Sequence, residues 1–265
     1  MSPVLTQEHW IASPHGALYA KSWEPTDAAM KGSESLAPLV LLHESLGCVE
    51  VWRDFPAQLA QATQRRVIAY DRLGFGRSAA HPGALSSAVF IHDEAQGDFQ
   101  RVRHALDIER FVVLGHSVGG GMAVGCAAEH AGDCEGVVTV SAQAFVEDRT
   151  VQGIRVAQAL FADPAQVQRL VKYHGSKAQW VLDAWIQTWL TPALASWTLD
   201  ADLAQVVCKA LVLHGDQDEY GSSMHLQRIA QGVQGAASSH LLPNCGHVPH
   251  REQPAQVLAL IAAWL

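Results

Sequence analysis

Two periodicities alternate along the chain. Short apolar runs, Leu39 to His43, Val67 to Tyr70, Phe111 to Leu114, Val137 to Val140, Ala210 to Leu213 and Ser239 to Leu242, are separated by longer stretches. In those stretches, among them Phe55 to Ala62, Val118 to His130 and Ala255 to Leu265, apolar positions recur every three or four residues. The runs read as strands and the stretches as amphipathic helices. A helix between consecutive strands returns the chain in the same direction, so the alternation predicts an α/β fold with a mostly parallel sheet flanked by helices. Two earlier runs, Glu8 to Ala12 and Leu18 to Trp23, enclose Ser13-Pro14-His15-Gly16. That turn composition predicts an antiparallel hairpin at the sheet edge, bringing the expected sheet to eight strands. A polar loop is expected from Pro25 to Ser35.

The rhythm breaks once. From Ala144 to Gln205 no strand-like run occurs, only helical pattern rich in Ala, Gln and Trp and punctuated by Pro164, Gly175 and Pro192. The expected organisation is therefore a core formed by residues 1–143 and 206–265, with residues 144–205 inserted as a helical cap. No internal repeat, low-complexity tract or flexible interdomain linker is evident.

Composition narrows the class of protein. Of 265 residues, 49% are apolar and 17% charged, the balance of a globular enzyme. A formal charge of -8 without a basic stripe argues against nucleic-acid binding. No apolar run approaches the roughly 20 residues that membrane insertion needs. The five cysteines, Cys48, Cys126, Cys134, Cys208 and Cys245, show no paired spacing, so a disulfide framework is not expected. The opening MSPVLTQEHW lacks the basic start and apolar core of a signal peptide, and the expected compartment is the cytoplasm.

The chemistry gathers around one serine. Gly115-His116-Ser117-Val118-Gly119 follows an apolar run and opens a helical one, the context of a strained turn that lifts a nucleophilic hydroxyl clear of a sheet. A serine hydroxyl needs an adjacent base. Of the 14 histidines, His247 in Asn244-Cys245-Gly246-His247 lies between the last strand and the last helix, where it can return to Ser117. His250 reads as structural. The base in turn needs a carboxylate to fix its tautomer. Asp218, in Gly215-Asp216-Gln217-Asp218-Glu219 after a strand, is the preferred acid, with Asp216 expected to bond its own loop and Glu147 or Asp148 as the alternative. Two backbone N–H groups are candidate oxyanion donors: Val118, next to the nucleophile, and Ser45 in His43-Glu44-Ser45-Leu46-Gly47, with Leu46 second.

Four motifs in chain order, His43 to Gly47, Asp71-Arg72-Leu73-Gly74-Phe75-Gly76-Arg77-Ser78, the Ser117 turn, and the paired Gly215 to Asp218 and Gly246-His247 loops, resemble the α/β-hydrolase superfamily in its serine esterase branch with a helical cap. The resemblance runs over essentially the whole chain. It implies a Ser-His-Asp triad, a covalent acyl-enzyme on Ser117, a small-molecule substrate and no cofactor or metal. Ser at the turn separates the chain from epoxide hydrolases and haloalkane dehalogenases, which resemble it but carry Asp there. Relatives usually have His-Gly where this chain has His43-Glu44, so Glu44 either turns outward or touches the substrate or the polar network of the site. Asp71 and Arg77 are expected to hydrogen-bond backbone. Glu44, Leu46, His116, Trp185 and Trp189 are candidate substrate contacts, the two tryptophans lying one helical turn apart.

Hydrolysis of a carboxylic ester, with a small hydrophobic substrate, is the leading expectation. A thioesterase, a C–C bond hydrolase acting on a dioxo acid, a perhydrolase or an acyltransferase could use the same residues, and a non-catalytic ligand-binding protein could be built on the same fold.

Overall fold

Alternate residues of single strands face opposite layers, and this builds two apolar cores from one sheet. In the computed structural model, which describes residues 4–26, 36–84 and 89–265, the strands are β1 (Val4–Ser13), β2 (Gly16–Pro25), β3 (Leu39–Leu42), β4 (Val67–Tyr70), β5 (Phe111–His116), β6 (Cys134–Val140), β7 (Lys209–Gly215) and β8 (Ala237–Leu242). Most of the loop expected from Pro25 to Ser35 lies outside the described residues. The helices are α1 (Phe55–Thr63), α2 (Phe90–Gln96), α3 (Asp98–Ala105), α4 (Val118–Glu129), α5 (Asp148–Leu160), α6 (Pro164–His174), α7 (Ala178–Trp189), α8 (Asp200–Leu203), α9 (Ser223–Gly232), α10 (Pro249–Glu252) and α11 (Pro254–Trp264).

The eight strands form one sheet in the order β1-β2-β4-β3-β5-β6-β7-β8. β1 pairs antiparallel with β2 and β2 with β4; every other pair is parallel. On one face Val40, Leu42, Ile68, Tyr70 and Val113 pack with α2, α3 and α4. On the other, Leu39, Leu41, Val67, Ala69 and Val112 pack with α1 and α11. β3 and β4 are buried at every residue, as expected for central strands covered on both sides.

Residues 144–205 hold α5 to α8 and no strand beyond an isolated bridge between Phe145 and Thr198. Pro164 opens α6, Gly175 ends it with a φ of +57°, and Pro192 opens a short turn after α7. Among the described residues no helix is long and apolar enough to cross a membrane. All five cysteines are free thiols.

The Asp71 to Ser78 loop departs from expectation at one residue. Asp71 does accept backbone N–H groups, from Val49 and Arg77, at 2.6 Å each. The Arg77 side chain, expected to bond backbone, instead pairs with Glu8 at 2.8 Å and covers the Tyr19 ring at 3.9 Å. The β1-β2 hairpin brings an acid and a ring to it, a contact between residues far apart in sequence.

α4 is buried from Val118 through Ala127, so it runs through the middle of the fold with no solvent face. Its start lies against the ends of β3 and β5. A Cβ on Gly119 would sit 2.2 Å from the Leu42 carbonyl oxygen, and one on Gly115 would sit 1.9 Å from the Gly119 oxygen. Further along the same helix, a Cβ on Gly125 would meet the Ile91 oxygen at 3.7 Å, an ordinary contact. Gly119→Ala should therefore destabilise the protein by about 2 kcal/mol or more through forced displacement of backbone. Gly125→Ala should be neutral or stabilise by up to about 1 kcal/mol through helix propensity. Urea-denaturation midpoints of the two variants check this contrast.

Candidate active site

Ser117 occupies the turn between β5 and α4 with φ +55° and ψ -125°, a left-handed conformation that non-glycine residues rarely adopt. The turn is held by the Ser117 N–H donating to the Val140 carbonyl and the Gly120 N–H donating to the Ser117 carbonyl. The side chain is 8% exposed, and it opens on a cavity of about 160 Å³ that His247 also lines.

His247 and Asp218 come from neighbouring loops laced together. The Asp216 N–H donates to the Leu242 carbonyl, the Gln217 N–H to the Cys245 carbonyl, and the Cys245 N–H to the Asp216 carboxylate. Asp216 thus bonds the facing loop. Across the lacing, His247 Nδ1 lies 2.9 and 2.8 Å from the two Asp218 oxygens. Asp218 also accepts the Tyr220 N–H at 2.8 Å and the Gly221 N–H at 3.2 Å. An ionised acceptor on Nδ1 puts the ring proton there and leaves Nε2 with a lone pair for a proton on the cavity side. Burial opposes charge on His247, but the Asp218 hydrogen bond and charge, with Glu219 and Glu44, outweigh it and raise its pKa above the ordinary value. Burial likewise works against the Asp218 carboxylate, and the His247 bond and charge overcome it, lowering its pKa.

The neighbouring histidines behave oppositely. His116 Nε2 donates to the His247 carbonyl at 2.7 Å, fixing the backbone that carries the His247 ring. Burial, then the proximity of His250 and His247, holds the His116 pKa well below 6.5. Burial, with Arg251 and His247 nearby, depresses His250 to about 3. His250 packs in the helix α10 turn against Trp52, Phe55 and His116, a structural placement. Of the three clustered imidazoles, His247 alone sits where protonation is favoured.

The loop after β3 folds back on itself. The Glu44 carboxylate accepts the Leu46 N–H at 2.5 Å, and the Glu44 carbonyl accepts the Gly47 N–H at 3.1 Å. Glu44 therefore turns inward to line the cavity instead of pointing to solvent, and burial raises its pKa. With the Leu46 N–H engaged, the Ser45 N–H is left; among the described residues neither it nor the Val118 N–H has a protein acceptor. Beneath the loop, Arg72 is almost fully buried and donates from Nη2 to the Glu44 carbonyl at 3.2 Å. His43 receives the Arg72 N–H on Nε2 and donates from Nδ1 to the same Glu44 carbonyl at 2.8 Å. With the Gly47 N–H, three donors on one carbonyl fix the peptide that precedes Ser45.

Glu44, Ser45, Leu46, His116, Trp185 and Trp189 all line the cavity with Ser117 and His247. Val118 borders a smaller adjoining pocket with Ser45, Trp185 and Trp189. The alternative acid Glu147 lies elsewhere: its carboxylate receives the Ser222 N–H and hydroxyl and sits 3.1 Å from His225. Trp180 and Trp197 serve packing instead, Trp180 stacking on His81 and Trp197 against Trp189. Sequence reasoning missed Gln143, Tyr220 and Arg72. Gln143 Oε1 is 3.4 Å from Ser117 Oγ on the cavity wall, and the Tyr220 ring packs 4.8 Å from that of His247. The only sequence signal for Gln143 is its place just past the carboxyl end of a parallel strand, where ligands collect in such sheets. Among the described residues no three His, Cys, Asp or Glu side chains converge as a metal site.

A model of the alpha/beta hydrolase family matches residues 39–260. The chain is 26% identical over 254 residues, 86% of each sequence, to the 2-hydroxymuconate semialdehyde hydrolase of Pseudomonas sp. (strain CF600). Among solved structures, the proline iminopeptidase of Mycobacterium smegmatis superposes with a TM-score of 0.71 at 21% identity, covering 97% of both chains. A carboxylesterase of Bacillus subtilis superposes at 0.69 with 19% identity, covering 98% of this chain and 91% of its own. The two structures share the fold.

Because the Glu44 carboxylate favours charge on the neighbouring imidazole, Glu44→Gln should lower the pKa of His247. Titration of the His247 ring followed by NMR would show the shift towards lower pH; an unmoved titration would mean that the carboxylate does not act on the base.

Proposed function

The chain belongs to the alpha/beta hydrolase family, and on that premise we propose that it is a serine hydrolase cleaving a carboxylic ester of a small hydrophobic molecule. Ser117 is the nucleophile, His247 the base and Asp218 the acid; the Ser45 and Val118 N–H groups receive the oxyanion. The observation that carries this reading is the double contact of Asp218 with His247 Nδ1 at the wall of a cavity into which a strained serine turn also opens.

Ser117 Oγ attacks the ester carbon as His247 takes its proton, and the imidazolium so formed is stabilised by Asp218. The two backbone donors hold the negative oxygen, each worth about 3 kcal/mol or more in the barrier. Collapse expels the alcohol, protonated by His247, and a water activated by the same imidazole releases the acid. Helices α5 to α8, over residues 144–205, act as the cap that closes this cavity between the two core segments, and Glu44, Leu46, His116, Trp185 and Trp189 contact substrate. The free cysteines support a place in the cytoplasm.

Similarity to the 2-hydroxymuconate semialdehyde hydrolase favours a second reading, hydrolysis of a carbon–carbon bond in a dioxo acid, whose carboxylate Arg251 on the cavity wall would meet. Assay of p-nitrophenyl and alkyl esters beside a dioxo acid separates the two.

A fluorophosphonate should form one adduct, on Ser117, and none in Ser117→Ala. Ester turnover should fall by about 10⁴-fold or more in Ser117→Ala and by a similar factor in Asp218→Asn. Turnover that survives Ser117→Ala would falsify the mechanism.

A further inference from the structure

Outside the cavity a second, open hollow runs along the end of α5. It is a groove of about 480 Å³ whose walls include Val156, Ala157, Leu160 and Phe161. Val156 is 61% exposed and Leu160 56%, so two large aliphatic side chains face water there. Leu46, Trp185 and Tyr220 line both the groove and the inner cavity, so the two spaces meet along a border of three shared residues. The inner one, at about 160 Å³, is close to the volume of about 150 Å³ that admits benzene into an engineered cavity. A substrate that fills both has a compact part at Ser117 and an extended apolar part over α5.

The geometry also says which part is which. In ester cleavage the alcohol leaves on the side of the imidazole that protonates it. Tyr220, whose ring centroid lies 4.8 Å from that of His247, lines both the cavity and the groove, so the groove begins on the His247 side, with Glu219 also on its wall. The small pocket that Ser45 and Val118 border holds only about 10 Å³ among Phe75, Phe90 and Trp189, room for an oxygen, which leaves the acyl group to the inner cavity of about 160 Å³.

We propose that the groove is the alcohol-side subsite, and that the preferred esters join a short acyl group to a linear alkyl alcohol. The proposal rests on the ester-hydrolase reading above. In the step concerned, the bond from Ser117 Oγ to the acyl carbon forms, the bond from that carbon to the alkoxy oxygen breaks, and the proton taken from Ser117 passes through His247 to the departing oxygen. The free alkanol is left lying in the groove.

Two ester series test it. From ethyl to octyl acetate, kcat/KM should rise roughly two- to fourfold per methylene until the groove is filled. From ethyl acetate to ethyl octanoate it should fall once the acyl group passes about four carbons. Val156→Asp and Leu160→Asp, both at exposed positions, should each lower the octyl-to-ethyl acetate ratio at least about fivefold. A flat alcohol series, or a rise along the acyl series, overturns the assignment. Binding of 1-octanol to Ser117→Ala, read by tryptophan fluorescence through Trp185, should saturate and be weakened by Leu160→Asp; no saturable binding also overturns it. Saturable octanol binding with no ester turned over would keep the groove as a site for alkyl chains and remove the ester reading. Turnover of short esters with no octanol binding would do the reverse.

Discussion

Everything in the site depends on how closely helix α4 approaches the strands beneath it. Its first turn touches the Leu42 carbonyl with no space for a methyl group, and this contact forces Ser117 into its left-handed turn. The same approach brings Val118 to the small pocket that Ser45, in the loop leaving β3, also lines. It also brings His116, the last residue of β5, under the His247 carbonyl. One steric constraint thus fixes Ser117, Val118 and the backbone of His247. The strain at Ser117 persists because α4 is buried along nearly its whole length and cannot relax outward.

Electrostatics then separate one histidine from its neighbours. His43, His116, His174 and His250 are buried and held neutral, each with its pKa lowered chiefly by loss of water. His247, its side chain 12% exposed, instead holds both oxygens of the Asp218 carboxylate through Nδ1 at 2.8 and 2.9 Å, a carboxylate that also accepts two amides and lies 3.3 Å from buried His214, and its pKa is raised. The neutral rings supply shape and fixed donors without competing for the proton. Arg72 works in the same spirit below the oxyanion loop. Its charge lies against buried Glu94, whose pKa burial and Asp98 push to about 8, while its reach to the Glu44 carbonyl is used for position.

What could be read from the sequence was local. Strand runs, the turn at Ser117 and the loops at Asp218 and His247 each announce themselves within a few residues, because a buried parallel strand and a tight turn constrain composition where they stand. Arg72, Gln143 and Tyr220 gave no such signal. Their roles come from contacts spanning tens of residues: Arg72 to Glu44, Gln143 to Ser117, and Tyr220 to His247. Arg77 shows the same limit from the other side. Its motif suggested backbone bonding, whereas the hairpin delivers Glu8 and Tyr19 to its side chain. The inward turn of Glu44 was one of two open choices, decided by a Leu46 N–H that needs an acceptor.

The helices above the cavity are fastened to the body at the start of their span and again near its middle. On one side Glu147 holds Ser222, Arg149 donates to the Asp218 carbonyl and Thr150 to that of Tyr220. On the other, His174 bridges the Gly76 N–H and the Leu46 carbonyl, and Lys177 donates to the Gly76 carbonyl. Between these fastenings, among the described residues from Leu160 to Leu170, no hydrogen bond reaches the sheet or its loops. Displacing that bend breaks no hydrogen bond to the body, whereas lifting either fastened segment would drag the Asp218 loop or the Glu44 to Gly47 loop along with it, so the bend is the part of these helices that can shift without disturbing the cavity wall at Asp218 and Leu46.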